Sequence, residues 1–167
     1  WQQLEQRREP FSGLAAWSAD QFNLAPGGEA RYAQGLFVNG DFFRVLGVQP
    51  LLGRTLTAED DRQGCGASAA VLSYAFWQRE FGGDPAAVGR TVMLDGQRFP
   101  VVGITPPGFF GVEVGNQYDI AVPLCADWQK RAESRTAWWI SAMGRLKPGW
   151  TVDRANAYIQ SVSPSFM

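Results

Sequence analysis

The chain has 167 residues, enough for one domain or two small subdomains. It carries 15 basic and 16 acidic residues, so it lacks the basic stripe that a nucleic-acid partner requires. Only Lys130 and Lys147 are lysines, and no polybasic run is present to hold an anionic membrane. No apolar stretch approaches the ~18–20 residues needed to cross a bilayer. With a hydrophobic fraction of 46%, seven Trp and eleven Phe, the chain can bury a substantial core.

Trp1–Glu9 reads as the tail of an amphipathic helix that Pro10 stops. The opening inside one helix and the close just after another lead to the expectation that this is a piece of a longer protein. Phe11–Leu24 reads as an irregular strand anchored by Leu14 and Trp17, Pro26-Gly27-Gly28 as a turn, and Ala30–Val38 as a strand pairing with the first. Asn39 or Asp41 is placed to cap a short helix carrying Phe42, Phe43 and Leu46, which Gly47 closes. Gln49–Gly53 reads as a connector, Arg54–Leu56 as a short edge strand, and Thr57–Asp61 as a capped acidic turn exposed to solvent.

The strongest local pattern lies in residues 69–110. Ala69–Leu72 is a short buried strand, and Ser73 caps a helix with Phe76, Trp77 and Phe81 on its apolar face, ended by Gly82-Gly83. Asp84-Pro85 looks like a second helix start. Thr91–Leu94 and Phe99–Ile104 flank Asp95-Gly96, a type I′ turn signal, and so form a hairpin that Thr105-Pro106-Pro107-Gly108 terminates. Residues 111–117 read as a loop, Tyr118–Pro123 as an alternating strand and Asp127–Glu133 as a short helix. Ala137–Leu146 reads as a long strand in which Trp138 and Trp139 point to opposite faces, so one of them is expected near the surface or an interface. After the turn Lys147-Pro148-Gly149, Thr151 caps a final helix that packs through Ala155, Ala157, Tyr158 and Ile159.

The absence of histidine removes Ser-His-Asp and Cys-His nucleophile pairs and His-based zinc sites. Gly66-Ala-Ser-Ala-Ala70 falls short of a nucleophile elbow: its last residue is Ala70, and it precedes the strand it should follow. Glu59-Asp60-Asp61 lacks the spacing of a calcium loop. No Gly-x-x-x-x-Gly-Lys phosphate loop is present, and no carboxylate pair lies in an evident sugar cleft. No catalytic residue, cofactor or metal is therefore expected. Cys65 and Cys125 are open to two readings, unrelated thiols or one disulfide closing a loop of about 60 residues and contributing roughly 4 kcal/mol. The aromatic pairs Phe42-Phe43, Phe109-Phe110 and Trp138-Trp139 read mainly as core, with an exposed subset marking a partner-facing patch.

Taken together, Val38–Arg54, Val71–Pro85, Val88–Thr91, Val101–Phe109, Tyr118–Leu124 and Arg145–Gly149 resemble the MacB-like periplasmic core domain of ABC-transporter permeases (FtsX-like/MacB type), nearest to the acidobacterial orphan permease group. The resemblance implies an α+β fold: a split βαβ (ferredoxin-like) part, residues 1–28 and 133–167, with an inserted mixed α/β part, residues 29–132. The sequence then lacks the first and last strands of the split part. It further implies a non-enzymatic domain on the periplasmic side of the bacterial inner membrane, in an efflux or mechanotransmission machine. Its partners are then its own transmembrane helices, an ABC ATPase and a periplasmic adaptor. That oxidising location favours a Cys65–Cys125 disulfide. Phe109, Phe110, Trp138 and Trp139 are the candidate partner surface. The competing readings are a stand-alone periplasmic ligand- or glycan-binding module and an enzyme using a carboxylate pair.

Overall fold

The structure, a computed structural model, describes residues 1–25, 27–62, 64–126 and 139–162. The strands are β1 (Phe11–Asn23), β2 (Tyr32–Val38), β3 (Leu52–Gly53), β4 (Ala70–Leu72), β5 (Thr91–Leu94), β6 (Gln97–Ile104), β7 (Ile120–Pro123) and β8 (Ser141–Leu146). Four helices are described: α1 (Gln2–Gln6), α2 (Phe42–Leu46), α3 (Tyr74–Phe81) and α4 (Val152–Val162). The strands form one mixed sheet in the order β3-β6-β4-β7-β2-β1-β8, with β5 paired to β6. β2–β7 and β4–β6 are parallel, and the other pairings are antiparallel. The fold is of the α+β class that the resemblance implied.

Both faces of the sheet are covered, and the two-residue period of the strands distributes the core between them. Ala16, Phe37, Leu72, Ile120 and Val122 join one apolar cluster, closed by Phe76 and Trp77 of α3 and by Val92, Leu94 and Phe99 of the β5–β6 hairpin. Ala15, Trp17, Leu36, Val71 and Ala121 join the other, closed by Phe42, Phe43 and Val45 of α2. β7 is buried along its whole length, so Tyr118–Pro123 does not alternate as expected. It lies between a parallel and an antiparallel neighbour, where neither face meets water.

The 69–110 block forms much as its residues dictate. Ser73 Oγ accepts the Phe76 N–H at 3.2 Å, and Gly82 ends α3 at φ 61°. Asp95 (φ 50°) and Gly96 (φ 81°) both adopt the positive φ of a type I′ turn. The Asp95 backbone N–H donates to Asn23 O at 3.0 Å, and its Oδ1 accepts the Asn23 N–H at 2.9 Å, tying the hairpin tip to the end of β1. Asp84-Pro85 opens only a 3-10 turn over Pro85–Ala87.

Several expectations shift. The edge strand is Leu52–Gly53, just before the expected Arg54–Leu56. It fits against β6 because Gly103 offers no Cβ: an added one would stand 1.9 Å from Arg54 O. The first helix is a single short turn region, ended where Arg7 N–H bonds Leu4 O. Neither Asn39 nor Asp41 caps α2 through its side chain; Asp41 pairs with Arg44. The cap expected at the start of α4 does form, with Thr151 Oγ1 accepting Arg154 N–H at 3.3 Å. In α4, Ala155 is buried but Ala157 is exposed. Pro26, the Asp127–Glu133 helix and Trp138 lie outside the described residues.

Asn39 does something else. β2 ends at Val38 opposite Trp17, so the β2-facing groups of Ala16 and Leu14 have lost their strand partner. Asn39 continues the ladder: its N–H donates to Ala16 O (3.0 Å), its Oδ1 accepts Ala16 N–H (2.8 Å), and its Nδ2 donates to Leu14 O (3.0 Å). All of this is buried. Asn39→Ala should cost about 2–4 kcal/mol in a denaturant titration, because it strands a buried N–H and C=O together. A loss below about 1 kcal/mol would mean that water or relaxed backbone replaces the amide.

Candidate interaction surface

The loop after β6 starts and ends at a buried hydroxyl pair. Thr105 Oγ1 and Tyr118 Oη lie 2.6 Å apart, and burial pushes the Tyr118 hydroxyl well above its ordinary range. Between these anchors the two phenylalanines divide. Phe109 turns in, packing edge-on against Phe43 (6.0 Å between centroids) and Tyr118 (5.8 Å). Phe110 turns out and is 56% exposed, and Val114 at the loop tip is fully exposed.

Glu113 holds the loop to the sheet. Trp17 Nε1–H donates to its Oε1 (3.0 Å) and Asn116 Nδ2–H to its Oε2 (2.9 Å). These two bonds, Trp17 first, keep the Glu113 carboxyl below the usual range. An open groove of about 470 Å³ runs beneath, lined among others by Trp17, Gln34, Leu36, Phe110, Glu113 and Asn116. Trp139 is half-buried against the first apolar cluster.

On another part of the molecule the acidic turn is no solvated loop. Asp60 is buried, and Arg54 grips it bidentately at 2.7 and 2.9 Å while Thr57 donates N–H (2.8 Å) to the same carboxylate. Burial raises the Asp60 carboxyl, but the Arg54 and Thr57 bonds outweigh it and hold the group below its usual value. Asp61 accepts backbone N–H groups from Cys125 (Oδ1, 2.8 Å) and Gly40 (Oδ2, 3.1 Å). Burial pushes its carboxyl up to about 6, against the pull of these two bonds, with Glu5 of α1 and Asp60 adding repulsion. Cys65 and Cys125 form a disulfide with Cα atoms 5.9 Å apart. The 54–68 segment is thus braced internally by the Arg54–Asp60 ion pair and fastened to the body by the Asp61 carboxylate bridge and a covalent bond.

Among the described residues no group of three or more Cys, Asp or Glu is placed to hold a metal, and no helix is long and apolar enough to cross a membrane. The sequence profile of the MacB-like periplasmic core domain matches residues 1–162. The chain belongs to that family. It is therefore a periplasmic or extracellular domain of a MacB-like ABC-transporter permease.

Solved structures carry the same fold at low identity. The periplasmic region of MacB from Actinobacillus actinomycetemcomitans superposes with a TM-score of 0.73 at 14% identity, over 98% of this chain and 72% of that one. The extracellular domain of the noncanonic ABC-type transporter YknZ from Gram-positive bacteria gives 0.65 at 16%, over 94% and 76%. A domain of a permease-like protein from Porphyromonas gingivalis gives 0.67 at 15%, over 98% and 68%. No curated protein matches the chain in sequence.

The structure of this MacB-like domain brings Phe109 and Phe110 to one loop but turns them in opposite directions. Trp139 lies against the other face's cluster. Sequence reasoning missed Glu113, which sits in a Gly-Val-Glu-Val-Gly run with no spacing signal, and the bridging role of Asp61. The Asp61 environment has a pH signature. Its folded pKa lies above its unfolded value near 3.8, so its favourable contribution is complete below about 4 and is lost as pH rises through 6. Chemical denaturation of wild type and Asp61→Asn from pH 4 to 7.5 should show the wild type losing roughly 2–3 kcal/mol relative to the variant. A pH-independent difference would contradict the burial argument.

Proposed function

We propose that this domain transmits motion rather than catalysing a reaction: it couples ATP hydrolysis by a cytoplasmic ABC ATPase to conformational change outside the membrane. The family match over residues 1–162 carries this reading. In it, transmembrane helices of the same permease move residues 1–28 and 133–167 as a split βαβ part, and residues 29–132 ride on it as the insert. The partner-facing element is the 109–117 loop, with Phe110 and Val114 presented to an adaptor or to cargo in an efflux-type machine and Phe109 anchoring the loop from within. Two observations support that choice: Phe110 and Val114 are large exposed apolar side chains on one loop, and Glu113 fixes the loop so that they stay outside.

The test uses the whole permease with its ATPase in membrane vesicles. Both cysteines of the domain are bridged, so once other cysteines of the permease and ATPase are replaced, Val114→Cys can be labelled selectively with an environment-sensitive dye. The label should change signal on ATP addition and stay constant with a hydrolysis-dead ATPase. Phe110→Asp should cut coupled transport or partner cross-linking at least fivefold while leaving the thermal midpoint of the domain within about 2 °C. An ATP-insensitive label together with full activity of Phe110→Asp would defeat the reading.

A further inference from the structure

The disulfide and Asp61 meet at one residue. Cys125 is held through its sulfur by Cys65 and through its N–H by the Asp61 carboxylate, 2.8 Å away. The two sulfurs differ in setting. Each Sγ has a carbonyl oxygen nearby, Gly66 O at 3.3 Å from Cys65 and Asp60 O at 3.5 Å from Cys125, but Cys125 is buried beside the Asp61 carboxylate whereas Cys65 is half-exposed at a loop flanked by Gly64 and Gly66. We propose that Asp61 is a positioning residue that guards this bond, so that external thiols attack only at Cys65 and the leaving Cys125 sulfur is disfavoured while Asp61 is charged.

A thiolate RS⁻ attacks Cys65 Sγ; an RS–S bond forms, the Sγ–Sγ bond breaks, and its electron pair departs on Cys125 Sγ as a thiolate. A second RS⁻ then releases Cys65 as thiolate and forms RSSR, so the external thiols are oxidised as the protein disulfide is reduced. The rate depends on how well the leaving thiolate is stabilised. Reactive cysteines obtain that stabilisation from free backbone N–H groups or nearby cations. Here the Cys125 N–H is already given to a carboxylate, and the nascent thiolate develops beside that negative charge and the Asp60 carbonyl oxygen. The other charged groups around Asp61 reinforce this. Glu5 faces it from α1, and the neighbouring Asp60 spends its charge on Arg54. With the Asp61 proton exchanging near pH 6, the guard is present at neutral pH and lifts in mild acid.

The experiment follows reduction of the oxidised domain by β-mercaptoethanol, a neutral thiol, from pH 5 to 8, with each rate divided by the thiolate concentration. The wild-type constant should rise about tenfold as pH falls from 8 to 5, equivalent to about 1.4 kcal/mol. Asp61→Asn should react about tenfold faster than wild type at pH 8 and show no such pH dependence. Ser68→Ala supplies the control for a merely loosened loop, because Ser68 Oγ donates to Asp60 O (2.8 Å) without bearing charge. It should leave the rate within about twofold of wild type. Mass spectrometry of the trapped mixed disulfide should find the adduct on Cys65. A wild-type constant independent of pH overturns the proposal even if Asp61→Asn fails to fold. An adduct on Cys125, or Ser68→Ala reacting as fast as Asp61→Asn, overturns it as well.

Discussion

Burial of β7 on both faces sets the terms for the rest of the molecule. Ile120–Pro123 contributes side chains to both apolar clusters, so each face needs its own cover. α3 and the β5–β6 hairpin supply one and α2 the other. A strand in that position also needs partners along both edges, which β2 and β4 provide in opposite senses. The mixed sheet follows from these two demands, and the connections around it are long because a parallel neighbour cannot be reached by a tight turn.

Elements whose stability is local were legible in the residues. The Ser73 cap, the Gly82 stop and the Asp95-Gly96 turn each depend on a short-range rule, and each occurs where its residue type stands. What was not legible depends on distant partners. Asn39 looks like a helix cap in sequence, yet its amide is spent on β1 because β2 has ended beside it. The strand is expected at Arg54–Leu56, yet Leu52 and Gly53 take the edge of β6; Arg54 keeps one backbone bond to Val102 O (2.9 Å) while its side chain grips Asp60. Asp60 and Asp61 read as solvated acids. Asp60 becomes structural only through the grip of Arg54, and Asp61 only through the approach of Gly40 and Cys125. The Cys65–Cys125 pairing came from the family resemblance, since residue spacing left it open.

Polar groups do contrasting work on two parts of the surface. Around the 54–68 segment they supplement the buried anchor Leu56: the Arg54–Asp60 pair braces the turn, and Asp61 and the disulfide tie it to the body. In the 109–117 loop a single carboxylate, Glu113, permits the opposite arrangement, keeping apolar side chains in water while the backbone stays attached through Trp17 and Asn116. Displaying Phe110 has an unfavourable hydration term that a free monomer gains nothing from. Contact with a partner would recover it.

The parallel pairing of β2 with β7 also separates local from distant contacts along the chain. β1 and β2 are adjacent in the chain and can zip into a ribbon by local closure. The second edge of β2 then stays open until β7 arrives about eighty residues later. Meanwhile β4, α3, β5, β6 and β7 find one another within the span that the disulfide closes, whose ends are 60 residues apart in sequence. On that order the β1–β2 ribbon has two open margins, the edge of β2 that awaits β7 and the edge of β1 that awaits β8. A bond formed before the two halves join would close the second half on itself while the first is still undocked.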